Sequence, residues 1–126
     1  MKEVINSPDA PAPIGPYSHA VRAGNLLFVS GQIALDAGGK LLNDSIEEET
    51  KQVLRNIEFI LKRAGLGWEN IVKTTIFLTD LANFVTVNEL YGSMFYSNYP
   101  ARETVEVSRL PKDVSVEISV VAVYPD

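Results

Sequence analysis

The sequence of 126 residues predicts an α+β sandwich, in which two helices pack on one face of a mixed β-sheet. Short segments of alternating apolar and polar residues surround two longer segments of helical periodicity, in the order β-β-α-β-α-β-β. Hydrophobic residues make up 46% of the chain and charged residues 21%, which is typical of a globular protein. At this length we expect a single domain over residues 1–126.

The N-terminal part of the chain predicts a loop, a hairpin and a turn. Residues 7–16 hold four prolines and a glycine, so we expect an extended loop there. Residues 19–22 and 26–33 alternate as two short strands, and residues 23–25 between them (Ala-Gly-Asn) suit a hairpin turn. Residues 36–40 predict a second turn.

Two later segments predict helices. Ser45 and Glu48 have the spacing of a capping box, and Gly65 suits the position just after a helix end. The apolar residues between these ends share one helical face: Ile46, Val53, Leu54, Ile57, Leu61 and Ala64. A second helix is predicted over residues 83–95, with an apolar side formed by Phe84, Val87, Leu90, Tyr91 and Met94.

The strand between the two helices is predicted over residues 71–79. Val72, Ile76 and Leu78 are its expected inner residues, and they alternate with the polar residues Lys73, Thr75 and Thr79. This pattern predicts a strand with one buried face.

The C-terminal part predicts a strand over residues 104–107, a tight turn at 110–113 and a long strand over 114–124. One face of the last strand is apolar throughout, whereas the other becomes apolar only at Val121 and Val123. Because the helices can cover one face only, we expect a partner subunit to bury the second.

Charge and composition exclude several classes of function. The net charge is −5 and no Lys/Arg-rich run exists, which argues against a nucleic-acid partner. The chain has no cysteine and a single histidine, His19, so neither a disulfide nor a thiolate or histidine metal site is expected. The N-terminus lacks the pattern of a secretory signal and no apolar run could cross a bilayer, so we expect a cytoplasmic protein without membrane contact.

Two charged residues near the C-terminus are the main candidates for a functional site. Arg102 follows the rigid segment Tyr99-Pro100-Ala101, and Glu117 interrupts an apolar run. Arg102 alone is explained as well by a surface ion pair with a neighbouring glutamate, and Glu117 alone by a solvated sheet face. Together they would supply a fork for a small carboxylic acid and a carboxylate that activates water.

Four more residues are candidates for the same site. Gly31, which follows Ser30, permits close approach of a ligand to the backbone, although a β-bulge explains a glycine there equally well. Tyr17 follows Gly15-Pro16, which would present its ring from a loop. Asn88 lies in the middle of the second predicted helix, where its amide would face either solvent or a cleft.

Several separated segments of the chain resemble the RidA (YjgF/YER057c/UK114) family of reactive-intermediate deaminases. The resemblance spans essentially the whole chain. Its most specific part is Pro-Ala-Arg-Glu-Thr-Val-Glu-Val-Ser-Arg-Leu-Pro-Lys-Asp-Val at 100–114, with Val-Glu-Ile at 116–118. The other segments are Ala-Pro-Ile-Gly-Pro-Tyr-Ser at 12–18, Leu-Phe-Val-Ser-Gly-Gln-Ile at 27–33, Thr-Asp-Leu at 79–81 and Val-Asn-Glu-Leu-Tyr at 87–91.

The resemblance implies a chorismate-mutase-like α+β fold, a homotrimer and ligand clefts between subunits. It implies hydrolysis of 2-enamino and 2-imino acids, such as 2-aminoacrylate, to 2-oxoacids and ammonia, with no cofactor. Arg102 corresponds to the family's carboxylate-binding arginine and Glu117 to its water-orienting glutamate. The remaining cleft residues correspond to Tyr17, Ser30, Gly31 and Asn88.

Two departures from the family pattern concern the same cleft. Residues 93–99 form a shorter segment than is common, which would change the rim of the cleft and the size of substrate it admits. Thr104 stands where many members carry cysteine, so a hydroxyl is expected to line the substrate site in place of a thiol.

Two other functions are compatible with the resemblance. One is an endoribonuclease or translation inhibitor, against which the negative charge and the lack of a histidine pair argue. The other is a non-catalytic sensor of 2-oxoacids, which would share Arg102 with the enzyme but would not need Glu117. The sequence leaves the preferred imino acid open.

Overall fold

The computed structural model describes residues 1–126, which form six strands and two α-helices. Their bounds in chain order are β1 Lys2–Ile5, β2 Ala20–Ala23, β3 Leu26–Gln32, α1 Ile46–Arg63, β4 Ile71–Leu78, α2 Phe84–Gly92, β5 Ala101–Glu106 and β6 Val116–Val123. Short 3₁₀ turns lie at Trp68–Asn70, Leu81–Asn83 and Pro111–Asp113.

All six strands belong to one sheet in the order β1-β2-β3-β6-β4-β5. Only β4 and β5 run parallel, and every other pair is antiparallel, so the predicted mixed sheet is confirmed. The hairpin of β2 and β3 is confirmed as well. The sequence did not predict β1, because Ile5 is its only buried residue and the preceding residues show no apolar alternation.

Both helices contact each other and pack on the same face of the sheet, as predicted. From β6, the helix layer buries Val116, Ile118, Val120 and Ala122, each at most 3% exposed. On α1 the Ser45 side chain accepts the predicted hydrogen bond from the Glu48 amide, at 3.1 Å. Neither helix is both long enough and apolar enough to cross a membrane.

The second helix is shorter than predicted. α2 ends at Gly92, and the Phe95 amide then bonds to the Gly92 carbonyl in a tighter turn, although the apolar pattern continues. Met94 and Phe95 still pack against the core. The apolar periodicity therefore marks the buried side correctly but not the helix end.

The structure differs from two predictions about strands, the inner position of Val72 and the start of the last strand at Val114. Val72, expected inside, is exposed because the register between β4 and β6 shifts between Ile71 and Lys73, and the interior position is taken by Thr74. The predicted turn at 110–113 is present, and it connects two strands that are separated by β4 in the sheet. The long last strand begins at Val116.

The second face of the sheet has no helices over it. Val4, Phe28 and Val105 lie on this face and are 50%, 46% and 39% exposed. Val121 on β6 pairs with Phe28 and is half-buried. An open face with this many apolar side chains is unusual for a chain that functions alone.

Candidate active site

Arg102 lies on the edge strand β5 and points into the helix layer. Its Nη1 donates a hydrogen bond of 2.7 Å to Oδ1 of Asn88 on α2. The guanidinium carbon lies 5.6 Å from the centre of the Phe84 ring and 5.3 Å from that of Tyr91. Two aromatic faces and an amide oxygen thus hold the cation in place while most of its N–H donors stay available.

The surface ion pair that was the alternative explanation of Arg102 does not form. Glu103 bonds instead to Lys73, at 3.0 Å, and to the Thr75 hydroxyl. Glu106 accepts a hydrogen bond from the Leu81 amide, at 2.9 Å. The guanidinium of Arg102 therefore has no carboxylate partner within the chain.

Helix α2 builds the surroundings of Arg102 by simple periodicity. Phe84, Asn88 and Tyr91 are spaced i, i+4 and i+7, so they lie on one side of the helix. The Tyr91 hydroxyl donates to Thr74 Oγ1 at 2.9 Å, and burial raises the pKa of Tyr91 despite that bond and the charge of Arg102. The opening of about 450 Å³ beside Arg102 is lined also by Gly92, Tyr99 and Pro100.

Glu117 lies in a second pocket, where its carboxylate makes no hydrogen bond or ion pair within the chain. Burial raises the pKa of Glu117 above its ordinary value. A Cβ atom placed on Gly31 would lie 2.5 Å from Oε2 of Glu117, so only glycine leaves room for the carboxylate in this position. The register of β3 and β6 shifts between Val29 and Gln32, which shows that Gly31 also belongs to a bulge.

The pocket of Glu117 has a volume of about 330 Å³ and combines polar and apolar walls. Ser30 Oγ donates to the Ser18 carbonyl at 2.6 Å, which fixes the hydroxyl against the loop. Tyr17 is half exposed at the rim, where its hydroxyl accepts a bond from the Ile14 amide at 3.4 Å. The residues that line the pocket are Ile14, Tyr17, Ser30, Gly31, Ile33, Pro111 and Glu117.

The two pockets lie on opposite faces of the sheet. Arg102 pairs with Thr74, whose side chain is in the core, whereas Glu117 pairs with Phe77 on the uncovered face. Two strand spacings and three residues separate their Cα atoms by roughly 14 Å, with the sheet between the side chains. One chain therefore cannot bring Arg102 and Glu117 to the same small ligand.

Thr104 is placed differently from the expectation. It faces the same side as Arg102, but its hydroxyl oxygen is buried without a hydrogen-bond partner, and it does not line the opening beside Arg102. A direct contact of Thr104 with substrate is therefore not supported by its position in one chain.

His19 has a structural role. Its Nδ1 accepts a hydrogen bond from the Ser7 amide at 3.0 Å, and its Nε2 donates to the Pro11 carbonyl at 2.6 Å. The ring thus fixes the proline-rich loop that carries Tyr17. No group of three or more histidine, aspartate or glutamate side chains is placed to hold a metal ion.

Sequence reasoning assigned no site role to Phe84, Tyr91, Ile33 and Pro111. The first two could have been found from their helical spacing around Asn88. The latter two reach the pocket of Glu117 from distant segments, and no local pattern indicates that placement.

Comparisons with known proteins agree on one family. The protein-family model described as endoribonuclease L-PSP matches residues 7–124. A RutC family protein of Pyrococcus horikoshii is 49% identical over 97% of this chain and 98% of its own. The human 2-iminobutanoate/2-iminopropanoate deaminase is 45% identical, covering 98% of this chain and 90% of the human one. The crystal structure of YyfA, a Rid family protein of Yersinia pestis, matches with a TM-score of 0.95 and 46% identity, over 98% and 99% of the two chains.

Proposed function

The chain belongs to the endoribonuclease L-PSP (YjgF/RidA) family, and we propose that it hydrolyses reactive 2-enamino and 2-imino acids, such as 2-aminoacrylate, to 2-oxoacids and ammonia. The observation that carries the proposal is the pair of unpartnered charges. Arg102 offers a fixed cation with free donors, and Glu117 offers a half-buried carboxylate beside an open backbone at Gly31. These are the groups needed to hold an acid and to activate water.

The site is completed between subunits of a homotrimer in this proposal. Each cleft combines the Arg102 pocket of one protomer with the Glu117 pocket of its neighbour. The opposite placement of the two pockets supports this arrangement, since one chain holds only half of the required groups at each. The apolar side chains of the uncovered sheet face provide a surface for the association.

The reaction needs only these residues. An enamine tautomerises to the imine, whose carboxylate binds the Arg102 guanidinium and the Gly31 N–H. Glu117 takes a proton from water as the water oxygen bonds to the carbon of the protonated imine, and the C=N π electrons become the lone pair of an amine nitrogen. Glu117 gives that proton to the amine nitrogen. The C–N bond then breaks as the hydroxyl proton passes to Glu117 and the C=O bond of the 2-oxoacid forms, and the departing ammonia takes the proton from Glu117 and leaves as ammonium.

The endoribonuclease function has weaker support. Both ring nitrogens of His19 are engaged in hydrogen bonds to the backbone, so the only histidine is not available as a general base for RNA cleavage. The net charge of −5 also opposes binding of a polyanion.

Direct measurement of the reaction tests the proposal. 2-Aminoacrylate is generated in situ, and release of ammonia and pyruvate is followed with and without the protein. We expect acceleration by the protein and by Arg109→Lys, a matched control at an exposed arginine that pairs with Asp113. Arg102→Lys should not accelerate the reaction. A rate equal to the uncatalysed one, together with tight 2-oxobutyrate binding, would instead identify a 2-oxoacid sensor.

A further inference from the structure

The pocket of Glu117 lies beside the point where two neighbouring strands separate. The last pair between β3 and β6 is Gln32 with Ile118, after which the chain from Ile33 leaves the sheet. β6 extends to Val116, paired with Leu78 of β4. Residues on both sides of this split line the pocket. One wall contains Gly31 and Ile33, and the other contains Pro111 and Glu117.

One wall is tied to helix α1 by a buried carboxylate. Glu49 is 3% exposed, and its Oε2 accepts hydrogen bonds from the Ser115 amide at 2.7 Å and from the Val116 amide at 2.9 Å. These amides immediately precede Glu117 in the chain. Burial raises the pKa of Glu49, because no cation compensates for the loss of water.

The other wall is tied to the same helix by a buried amide. Asn56 is fully buried, and its Nδ2 donates to the Ile33 carbonyl at 3.0 Å and to the Leu35 carbonyl at 2.8 Å. Gln52 holds the Asn56 amide through a bond of 2.9 Å to Oδ1. These carbonyls lie just after the bulge at Gly31.

The three polar residues are spaced i, i+3 and i+7 along α1, on the side that faces the split. Backbone groups at the split have lost their strand partners and must be bonded in another way. Because a helix is rigid, bonds from one helix to both walls fix the distance between them. We propose that Glu49 and Asn56 are positioning residues that set the separation of Gly31 from the Glu117 carboxylate, and so support the reaction proposed above, on which this inference rests.

Two variants release one wall each. Asn56→Ala removes both bonds to the Gly31 wall and changes no charge. Glu49→Ala frees the Glu117 wall, whereas Glu49→Gln keeps an oxygen that can accept both amides, because both bonds go to one atom. Glu47→Ala, an exposed change on the same helix, is the control.

The measurements are kcat, 2-oxobutyrate affinity and the pKa of Glu117 from NMR of the labelled carboxylate. We expect Asn56→Ala and Glu49→Ala to lower kcat about tenfold or more, with affinity within about threefold, since small misplacements cost this much. The pKa of Glu117 should fall toward its ordinary value as the pocket opens to water. Glu49→Gln and Glu47→Ala should have a kcat, a 2-oxobutyrate affinity and a pKa of Glu117 close to those of the wild type.

Three outcomes would overturn the inference. The first is an unchanged kcat and Glu117 pKa in both alanine variants, and the second is an equal loss of kcat and affinity, which indicates general damage. The third is an equal change of kcat and of the Glu117 pKa in Glu49→Gln and Glu49→Ala, which would assign the effect to the charge of Glu49.

If Asn56→Ala does not fold, Gln52→Ala replaces it. If the wild type has no deaminase activity, the proposed function fails, whereas the Glu117 titration still decides the positioning role.

Discussion

The Arg102 pocket and the Glu117 pocket are built by different means. Residues within a short stretch of the chain, 84–102, form the first, with helix α2 and the edge strand as rigid supports. The second is formed by three segments that are distant in sequence, 14–17, 30–33 and 111–117. The pairing register of the strands brings these segments together. A local change should therefore alter the first pocket alone, whereas the second is sensitive to the alignment of β3 with β6.

The electrostatic states of the two pockets are opposite and complementary. Arg102 is stabilised by aromatic faces and an amide oxygen, whereas Glu117 has no partner to offset its lost hydration. An unpaired half-buried carboxylate costs stability, and such a cost is typical of functional groups. In a shared cleft the cation would offset both this charge and that of an acidic substrate.

The largest expected effect is that of Arg102→Lys. An ammonium keeps the charge but cannot form the planar two-point contact with a carboxylate. We expect kcat/KM to fall by about a thousandfold, or about 4 kcal/mol, within the range for disrupting a desolvated charge pair. Calorimetry should show parallel loss of 2-oxobutyrate binding with the assembly intact. Near-normal turnover would make Arg102 a surface charge.

The next largest expected effect on catalysis is that of Glu117→Gln. The change removes the proton acceptor and leaves Arg102 and Gly31 in place, so kcat should fall about a hundredfold while 2-oxoacid binding persists. Steady-state kinetics and calorimetry separate the two effects. Unchanged turnover and binding would place Glu117 on an inert face and favour the sensor function.

The Arg102 pocket shows what sequence can predict. The order of elements, the apolar side of α2 and the candidates Arg102 and Asn88 all follow from local patterns, because helical periodicity alone brings Asn88 and Tyr91 to one side. The extent of α2 was less predictable, since apolar residues continue past the last i→i+4 bond.

The Glu117 pocket shows where local patterns stop being sufficient. The sequence singled out Gly31 and Glu117 separately, but their contact depends on a bulge and on the sheet order, which places β6 between β3 and β4. Their position on the face opposite Arg102 follows from pairing across three strands. Alternation within one segment carries no information on such pairing.

Mixing the two inactive variants tests the shared cleft directly. If each cleft takes Arg102 from one protomer and Glu117 from its neighbour, hybrids of Arg102→Lys and Glu117→Gln subunits contain intact clefts. An intact cleft needs a Glu117→Gln subunit to supply Arg102 and a neighbouring Arg102→Lys subunit to supply Glu117. After random exchange in a closed ring each condition is met with a probability of about one half, so about a quarter of the clefts are intact and about a quarter of wild-type activity should return. Activity is measured after dissociation and joint reassembly, with each variant alone as control. No recovery despite verified exchange would contradict the shared cleft.

Gly31→Ala should affect the Glu117 pocket only, and it should lower kcat by a smaller factor than Glu117→Gln does. The new Cβ would lie 2.5 Å from Oε2 of Glu117, so the carboxylate must swing away. We expect kcat to fall about tenfold, with the oligomeric state unchanged and the 2-oxobutyrate affinity changed less. Gly38→Ala is the matched control, because its Cβ would meet only Asp36 at 3.5 Å on a distant turn. Equal kinetics of both variants would show that the carboxylate position is not critical.

The smallest expected effect is on stability, and its sign follows from the raised pKa of Glu117. The folded chain binds this proton more tightly than the unfolded chain, so stability falls as pH rises from the ordinary glutamate value of 4.5 through the folded pKa. Glu117→Gln avoids this loss, so it should unfold at a slightly higher urea concentration than the wild type at pH 7, and the difference should vanish below pH 4.5.

Tyr17 is the only other titratable side chain lining the pocket. If the cleft is shared, the positive charge of the neighbour's Arg102 partly offsets the desolvation of Glu117. An Arg102→Gln background should then enlarge the stabilisation by Glu117→Gln, whereas an Arg102→Lys background should not. Equal stabilisation in all three backgrounds would show that the two pockets do not meet.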